Sequence, residues 1–174
     1  MPEIILNYKK FHRDAQIYPH AKEGDAGCDL VCINTPEIVL DGTKLYLKYE
    51  TALGLEIPEG YVGFAMPRSS TSDYNLMLGN SVGVLDSSYR GAISLKYKLD
   101  GIAILKVLRN MLMGSPLDDG LKIYRKGDAI CQVVFLQYAK VKLNEVSQLS
   151  ETGRGDKGFG SSDVERMPDA SNAS

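Results

Sequence analysis

Residues 91–99 read Gly-Ala-Ile-Ser-Leu-Lys-Tyr-Lys-Leu, and this alternation sets the fold class. Ile93, Leu95, Tyr97 and Leu99 fall on one side of a pleat, with Ser94, Lys96 and Lys98 on the other. That period of two belongs to a strand with one face buried and one wet. Upstream, residues 43–57 (TKLYLKYETALGLEI) repeat the pattern, with Leu45, Leu47, Tyr49, Thr51 and Leu53 on one side. Shorter strand candidates lie at 3–8, 28–33, 37–40, 61–66, 121–124 and 129–138, with Gly, Pro, Asp and Asn between them. Many short strands punctuated by turn residues predict an all-β barrel or sandwich rather than βαβ units.

One stretch departs from this period. In residues 101–113 (GIAILKVLRNMLM), Ile104, Leu105, Leu108, Met111 and Leu112 recur at helical spacing, with Lys106, Arg109 and Asn110 opposite. Leu, Met, Lys and Arg favour helix, and Gly114-Ser-Pro116 would end it. The spacing predicts a short helical insert over about 101–120. Its apolar face either covers a sheet edge or barrel end, or forms a patch for a protein partner. Residues 151–174 are poor in core-forming side chains and read as a flexible C-terminal arm beyond a domain at 1–150. Yet Arg154, Lys157, Phe159 and four glycines crowd its first half, residue types that a phosphate-binding arm requires.

Composition narrows the function. A chain of 174 residues fits one domain or one protomer of an oligomer. A formal net charge of −2 argues against stable nucleic-acid binding, which needs a basic face, but leaves room for a local basic pocket. No apolar run approaches the roughly 18 residues of a membrane span. The odd cysteine count (Cys28, Cys32, Cys131) and the absence of a signal peptide predict reduced thiols in a cytoplasmic protein, or in the host cytoplasm for a viral one. The CxxxC spacing of Cys28 and Cys32 has no second Cys/His pair, so core thiols are favoured over metal ligands. His12 and His20 are the only histidines, and neither a Walker-A sequence nor a GxSxG elbow is present. Hydrolysis by such a chain would rest on carboxylates, a metal ion and basic groups.

Five segments carry that chemistry in order. They are Asp25-Ala-Gly-Cys-Asp-Leu30, Pro67-Arg-Ser-Ser70, Gly83-Val-Leu-Asp-Ser-Ser-Tyr-Arg-Gly91, Lys126-Gly-Asp-Ala-Ile-Cys-Gln132 and Arg154-Gly-Asp-Lys-Gly-Phe-Gly-Ser-Ser162. Each alone is a weak signal. Together, in this order on an all-β background, they resemble the five motifs of the trimeric dUTPase family across residues 25–162. The resemblance implies a distorted β-barrel or jelly roll, a homotrimer with shared active sites, and Mg²⁺-dependent hydrolysis of dUTP to dUMP and diphosphate. Such an activity limits uracil in DNA and supplies dUMP for dTMP synthesis.

The same resemblance implies roles for particular residues. The hairpin of Gly83, Val84 and Leu85 would hold uracil, with Asn80 near the base. A fixed backbone edge can match uracil and leave polar groups unpaired against cytosine. Tyr89 would pack on the deoxyribose, and Asp86 would orient and deprotonate the attacking water, a task suited to a carboxylate within reach of it. Arg68, Ser69, Ser70 and Gln132 would hold phosphates, the guanidinium offering a rigid fork to their oxygens. Asp29 would help organise Mg²⁺ through water, in keeping with the reluctance of that ion to dehydrate. From the arm, Arg154 would clamp the terminal phosphate and Phe159 would stack on the base, while Lys157, Gly158, Gly160 and Ser161 would close over the phosphates.

Four positions depart from the common pattern. Ala129 replaces an arginine, Ser88 a second aspartate, and Ser70 and Lys157 glycines. Two alternatives accompany this reading. A dCTP deaminase shares the fold but needs a glutamate on the strand after the hairpin, where this chain has Ile93-Ser-Leu-Lys96. A regulatory protein on the same scaffold would act through the insert.

Overall fold

The computed structural model describes residues 3–19 and 22–156. Two compact units divide the chain, Met1–Lys140 and Val141–Ser174. In the first, eleven strands form three antiparallel sheets. A five-stranded sheet has the order β2 (Ile17–Tyr18), β3 (Cys28–Val31), β11 (Ala129–Gln137), β7 (Tyr61–Met66), β9 (Gly83–Leu85). A four-stranded sheet runs β4 (Glu37–Asp41), β5 (Lys44–Glu50), β10 (Ser94–Leu99), β8 (Leu76–Leu78). The third pairs β1 (Asn7–Lys10) with β6 (Leu53–Glu56). The all-β class holds, but among the described residues the sheets remain separate and do not close into a barrel.

The alternation in β10 is borne out: Leu95, Tyr97 and Leu99 are buried, while Ser94, Lys96 and Lys98 are exposed. With Leu30, Leu47, Tyr49, Leu53, Ile130 and Val133 they build the core. Each such aliphatic side chain contributes about 1.5–3 kcal/mol when removed from water. The long run at 43–57 is two strands rather than one. Thr51, fully buried, donates its hydroxyl to Ile93 O (2.8 Å) and accepts from Leu53 N (3.2 Å). Ala52 follows with φ 51°, in the left-handed region. That kink carries the chain out of the four-stranded sheet and into pairing with β1. No strand forms at 121–124, and β1 begins at Asn7 rather than residue 3.

The helix α1 spans Gly101–Met113, with the predicted bounds. Asp100 caps it by accepting from Ala103 N at 2.7 Å, and Gly114 ends it with φ 65°, a conformation glycine adopts without strain. Of the two alternatives for its apolar face, the covering of a sheet edge or barrel end does not hold, and Asn110, placed opposite that face, turns inward. The buried face is Ala103, Val107 and Asn110, whereas Leu105, Leu108, Met111 and Leu112 are exposed. Asn110 is buried because its amide donates to Leu117 O (3.3 Å) and Asp119 O (2.9 Å), folding the following loop against the helix. Asn75 ties both ends of the insert together. Its side chain donates to Asp100 Oδ2 (3.1 Å) and accepts from Lys122 N (3.0 Å).

In the second unit, residues 141–156 contain neither helix nor strand. Val141, Leu143 and Leu149 are almost wholly exposed, and Val146 is half exposed. No helix among the described residues is long and apolar enough to cross a membrane.

Candidate active site

The chain reaches the hairpin through a tight turn at 78–82. Ser81 N donates to Leu78 O (3.0 Å), Val82 N to Asn80 O (2.7 Å), and Ser81 takes φ 63°. This turn delivers β9 to the margin of the five-stranded sheet, where Ala65, Phe64 and Gly63 pair with Gly83, Val84 and Leu85. Among the described residues the other edge of β9 has no partner strand, which leaves its backbone groups available to a ligand. A cavity of about 510 Å³ opens between this edge and residues 93–96 of the next sheet. Asn80, Gly83, Val84, Leu85, Asp86 and Tyr89 all line it, so six predicted residues converge.

Asp86 is exposed there, and Tyr89 N donates to its carbonyl at 3.1 Å, closing the turn that aims its carboxylate. Tyr89 folds back along the hairpin, its hydroxyl donating to Ala92 O at 3.1 Å. Gly91 gives the phenol its space, since a Cβ there would collide with the ring. Tyr46 and Lys96 also line the cavity, with the Lys96 ammonium 5.5 Å from the Tyr46 ring centroid. Sequence reasoning missed both, because their outward positions on β5 and β10 give the signal of solvent-facing residues. Among the described residues no glutamate lines this cavity, the group on which the deaminase alternative depends.

A second cleft of about 820 Å³ is set by sheet register. Tyr18 pairs with Asp29, Asp29 with Gln132, and Gln132 with Met66, one row across four strands. Just beyond Met66, Arg68 turns back over the row. Its guanidinium meets Asp29 Oδ2 at 2.9 Å and donates to Ala129 O at 3.3 Å. Gln132 donates its amide to Pro67 O at 3.1 Å, bracing the same loop. Gly27 lies against that glutamine; a Cβ there would come within 2.8 Å of Gln132 Oε1. Asp29, Arg68, Ser69 and Gln132 therefore share one cleft, with Tyr18 and Asp25 as lining residues that the sequence reading had not assigned. Ser70 enters the 3-10 turn Ser69–Asp73 and lines neither cleft.

The two clefts have no lining residue in common, so Asp86 and Arg68 serve different cavities of one chain. Arg154 belongs to the second unit. Lys157, Gly158, Phe159, Gly160 and Ser161 lie outside the described residues.

The donor set near Arg68 bears on metal binding. Among the described residues no group of three His, Cys, Asp or Glu side chains could hold an ion. Asp25 and Asp29 nevertheless offer hard oxygen atoms to the cleft that Arg68 lines, a donor type suited to Mg²⁺. The cysteines do not contribute. Burial raises the Cys28 thiol, with the Asp29 charge adding to the effect, and pushes Cys32 up to about 11 and Cys131 up to about 12. All three are free thiols, Cys32 and Cys131 in the core and Cys28 half-buried.

A family model described as dUTPase matches residues 13–103 and 122–163, which include all five segments. The chain belongs to the dUTPase family. The dUTPase match passes over 104–121, most of α1 and the loop after it. Curated relatives agree. The deoxyuridine 5'-triphosphate nucleotidohydrolase of Hydrogenobaculum sp. is 32% identical over 157 residues, covering 90% of this chain and 96% of that protein. The enzyme of the same name from Desulfitobacterium hafniense is 33% identical over 165 residues, covering 93% and 97%. Among solved dUTPase structures, a variant from Staphylococcus bacteriophage 80alpha with dUpNHpp superposes with a TM-score of 0.63 at 24% identity, covering 91% of this chain and 98% of that one. At that identity the likeness supports the dUTPase fold.

Proposed function

We propose that this chain hydrolyses dUTP to dUMP and diphosphate. The observation that carries the reading is the convergence of Asn80, the Gly83–Leu85 edge, Asp86 and Tyr89 on one cavity. Uracil pairs with the free edge of β9, Asn80 approaches the base, and Tyr89 packs on the deoxyribose where a 2'-hydroxyl would clash. Asp86 accepts a proton from a water whose oxygen bonds to the α-phosphorus, and diphosphate departs with the bonding pair. Arg68, Ser69 and Gln132 orient the phosphates, and Asp29 holds the guanidinium in register. Mg²⁺ bound to the phosphate oxygens would offset their charge, with Asp29 reaching it through water. A structural Mg(II) ion is described in the dUTPase of phage phi11 of S. aureus.

Because Asp86 and Arg68 line different cavities, a complete site needs a second copy to bring the phosphate cleft to the hairpin. A homotrimer with shared active sites meets that need. The exposed Val141, Leu143 and Leu149 support it, since such side chains gain by burial against a neighbour. In this assembly Arg154 clamps the terminal phosphate, Phe159 stacks on uracil, and Lys157, Gly158, Gly160 and Ser161 close the arm. Ser70 contributes through the turn it lies in rather than by direct contact. The cytoplasm, or host cytoplasm for a viral chain, is the compartment that supplies the nucleotide.

Diphosphate release from dUTP, dTTP, dCTP and UTP, each with and without Mg²⁺, tests the proposal. Release from dUTP alone, dependent on the metal, is expected. Ammonia from dCTP without diphosphate would overturn it.

One observation favours a second role beside hydrolysis. Leu105, Leu112 and Met113 project from α1 with most of their surface exposed, in a segment outside the dUTPase match. A protein partner at the insert would cover them. Deleting 103–117 should then leave turnover intact, whereas loss of activity or of the trimer would give the insert a structural role.

A further inference from the structure

The segment bearing Arg68 is fixed from behind. Within the turn, Thr71 N donates to Arg68 O (2.9 Å), Tyr74 N to Thr71 O (3.0 Å), and Ser72 Oγ to Ser69 O (2.9 Å). Those bonds shape the turn but do not attach it to the fold. Arg68 itself reaches Asp29 and Ala129, and Gln132 braces Pro67. An ion pair between Lys122 and Asp73, at 3.7 Å, lies in solvent and contributes little.

A further tie is buried. Thr71 Oγ1 and the Tyr124 hydroxyl lie 2.7 Å apart, with Thr71 6% exposed and Tyr124 1%. Tyr124 has little freedom to move. Tyr74 stacks on it at 4.3 Å between centroids, and Tyr49 and Tyr97 meet it edge-on at 5.9 and 5.5 Å. The Tyr97 hydroxyl donates to Ile130 O, next to the Ala129 carbonyl that receives Arg68. The tyrosine cluster thus reaches both flanks of the arginine. Burial also raises the Tyr124 phenol above its ordinary range, so it keeps its proton where a carboxylate base works.

We infer that Tyr124 is a positioning residue for nucleotide binding: its hydroxyl, through Thr71, holds the turn that fixes Arg68 and Ser69 against the phosphates. This rests on Arg68 binding phosphate, as proposed above. A preset guanidinium binds without first being ordered, so releasing the strut weakens binding more than it slows chemistry.

The test is steady-state kinetics on the full-length enzyme with dUTP, alongside thermal melts. Tyr124→Phe keeps the ring and removes one oxygen. It should raise KM about threefold to tenfold with kcat within about twofold of wild type. Thr71→Val should match it, and Thr71→Ser, which keeps the hydroxyl, should restore wild-type KM. The Tyr124→Phe/Thr71→Val pair leaves no buried hydroxyl unpartnered, so its Tm should recover while KM stays high. A merely structural role predicts that KM recovers with Tm, and that result would overturn the inference. So would a wild-type KM in Tyr124→Phe while Arg68→Ala is impaired. A wild-type KM in both variants would instead remove the reading of Arg68 on which the strut depends.

Discussion

The two clefts of this chain are built in opposite ways. The hairpin cavity presents unengaged groups: a strand edge without a partner and the exposed carboxylate of Asp86. In the cleft proposed to hold the phosphates, Arg68 is paired with Asp29 and Ala129 O, and Gln132 with Pro67 O. A base-recognition edge must be open to be read. A cation awaiting a triphosphate is better held in place, because an unpaired half-buried guanidinium would be costly and disordered. Substitutions in the first cleft should therefore cost rate, and those in the second should cost affinity.

The largest effect is expected at Asp86. Asp86→Asn keeps the size and polarity of the side chain but supplies a very poor base. Turnover of dUTP should fall by about 10²–10⁴-fold, while a titration with dUTP still shows binding. Near-wild-type kcat in this variant would remove Asp86 from the chemistry and collapse the contrast between the clefts.

A smaller effect, of the other kind, is expected at Asp29. One of its oxygens already holds Arg68, and in the proposed mechanism the carboxylate would also reach Mg²⁺ through water. Asp29→Asn should raise KM for dUTP and increase the Mg²⁺ needed for half-maximal rate, each by about tenfold. A raised KM with an unchanged Mg²⁺ requirement would assign Asp29 to Arg68 alone.

The same contrast governs what could be read from sequence. Asn80, Asp86 and Tyr89 were assigned through resemblance, although they stand close together in the chain and line one cavity. Asp29 and Gln132 were legible only through resemblance; their adjacency depends on the register of β3 and β11, separated by about a hundred residues of chain. Period alone located β10 and α1, since alternation and helical spacing are local. It could not tell which face of α1 turns inward. Hydrophobicity favoured Leu105, Leu108 and Leu112, yet the face that docks is the one where Asn110 finds two loop carbonyls. Nor could it foresee the break at Thr51, where a buried hydroxyl bond replaces the ladder within an unbroken alternating run.

The smallest effect is expected at Asp100, which lines neither cleft and so gives a control for both. It accepts from Ala103 N at the start of α1 and from the Asn75 amide, and these bonds, the first above all, hold its carboxyl below the usual range. Asp100→Ala should lower stability by about 1 kcal/mol or less, because solvent screens an exposed cap. With the folded-state pKa depressed, the stabilisation is complete above the unfolded-state value and is lost as pH falls through the folded one. The Tm difference from wild type should therefore be constant near neutrality and shrink in acid. Both kinetic constants for dUTP should stay at wild-type values, since Asp100 touches neither cleft. A raised KM in this variant would instead mean that the cap acts through Asn75 and Tyr74 on the turn behind Arg68, tying the insert to the phosphate cleft.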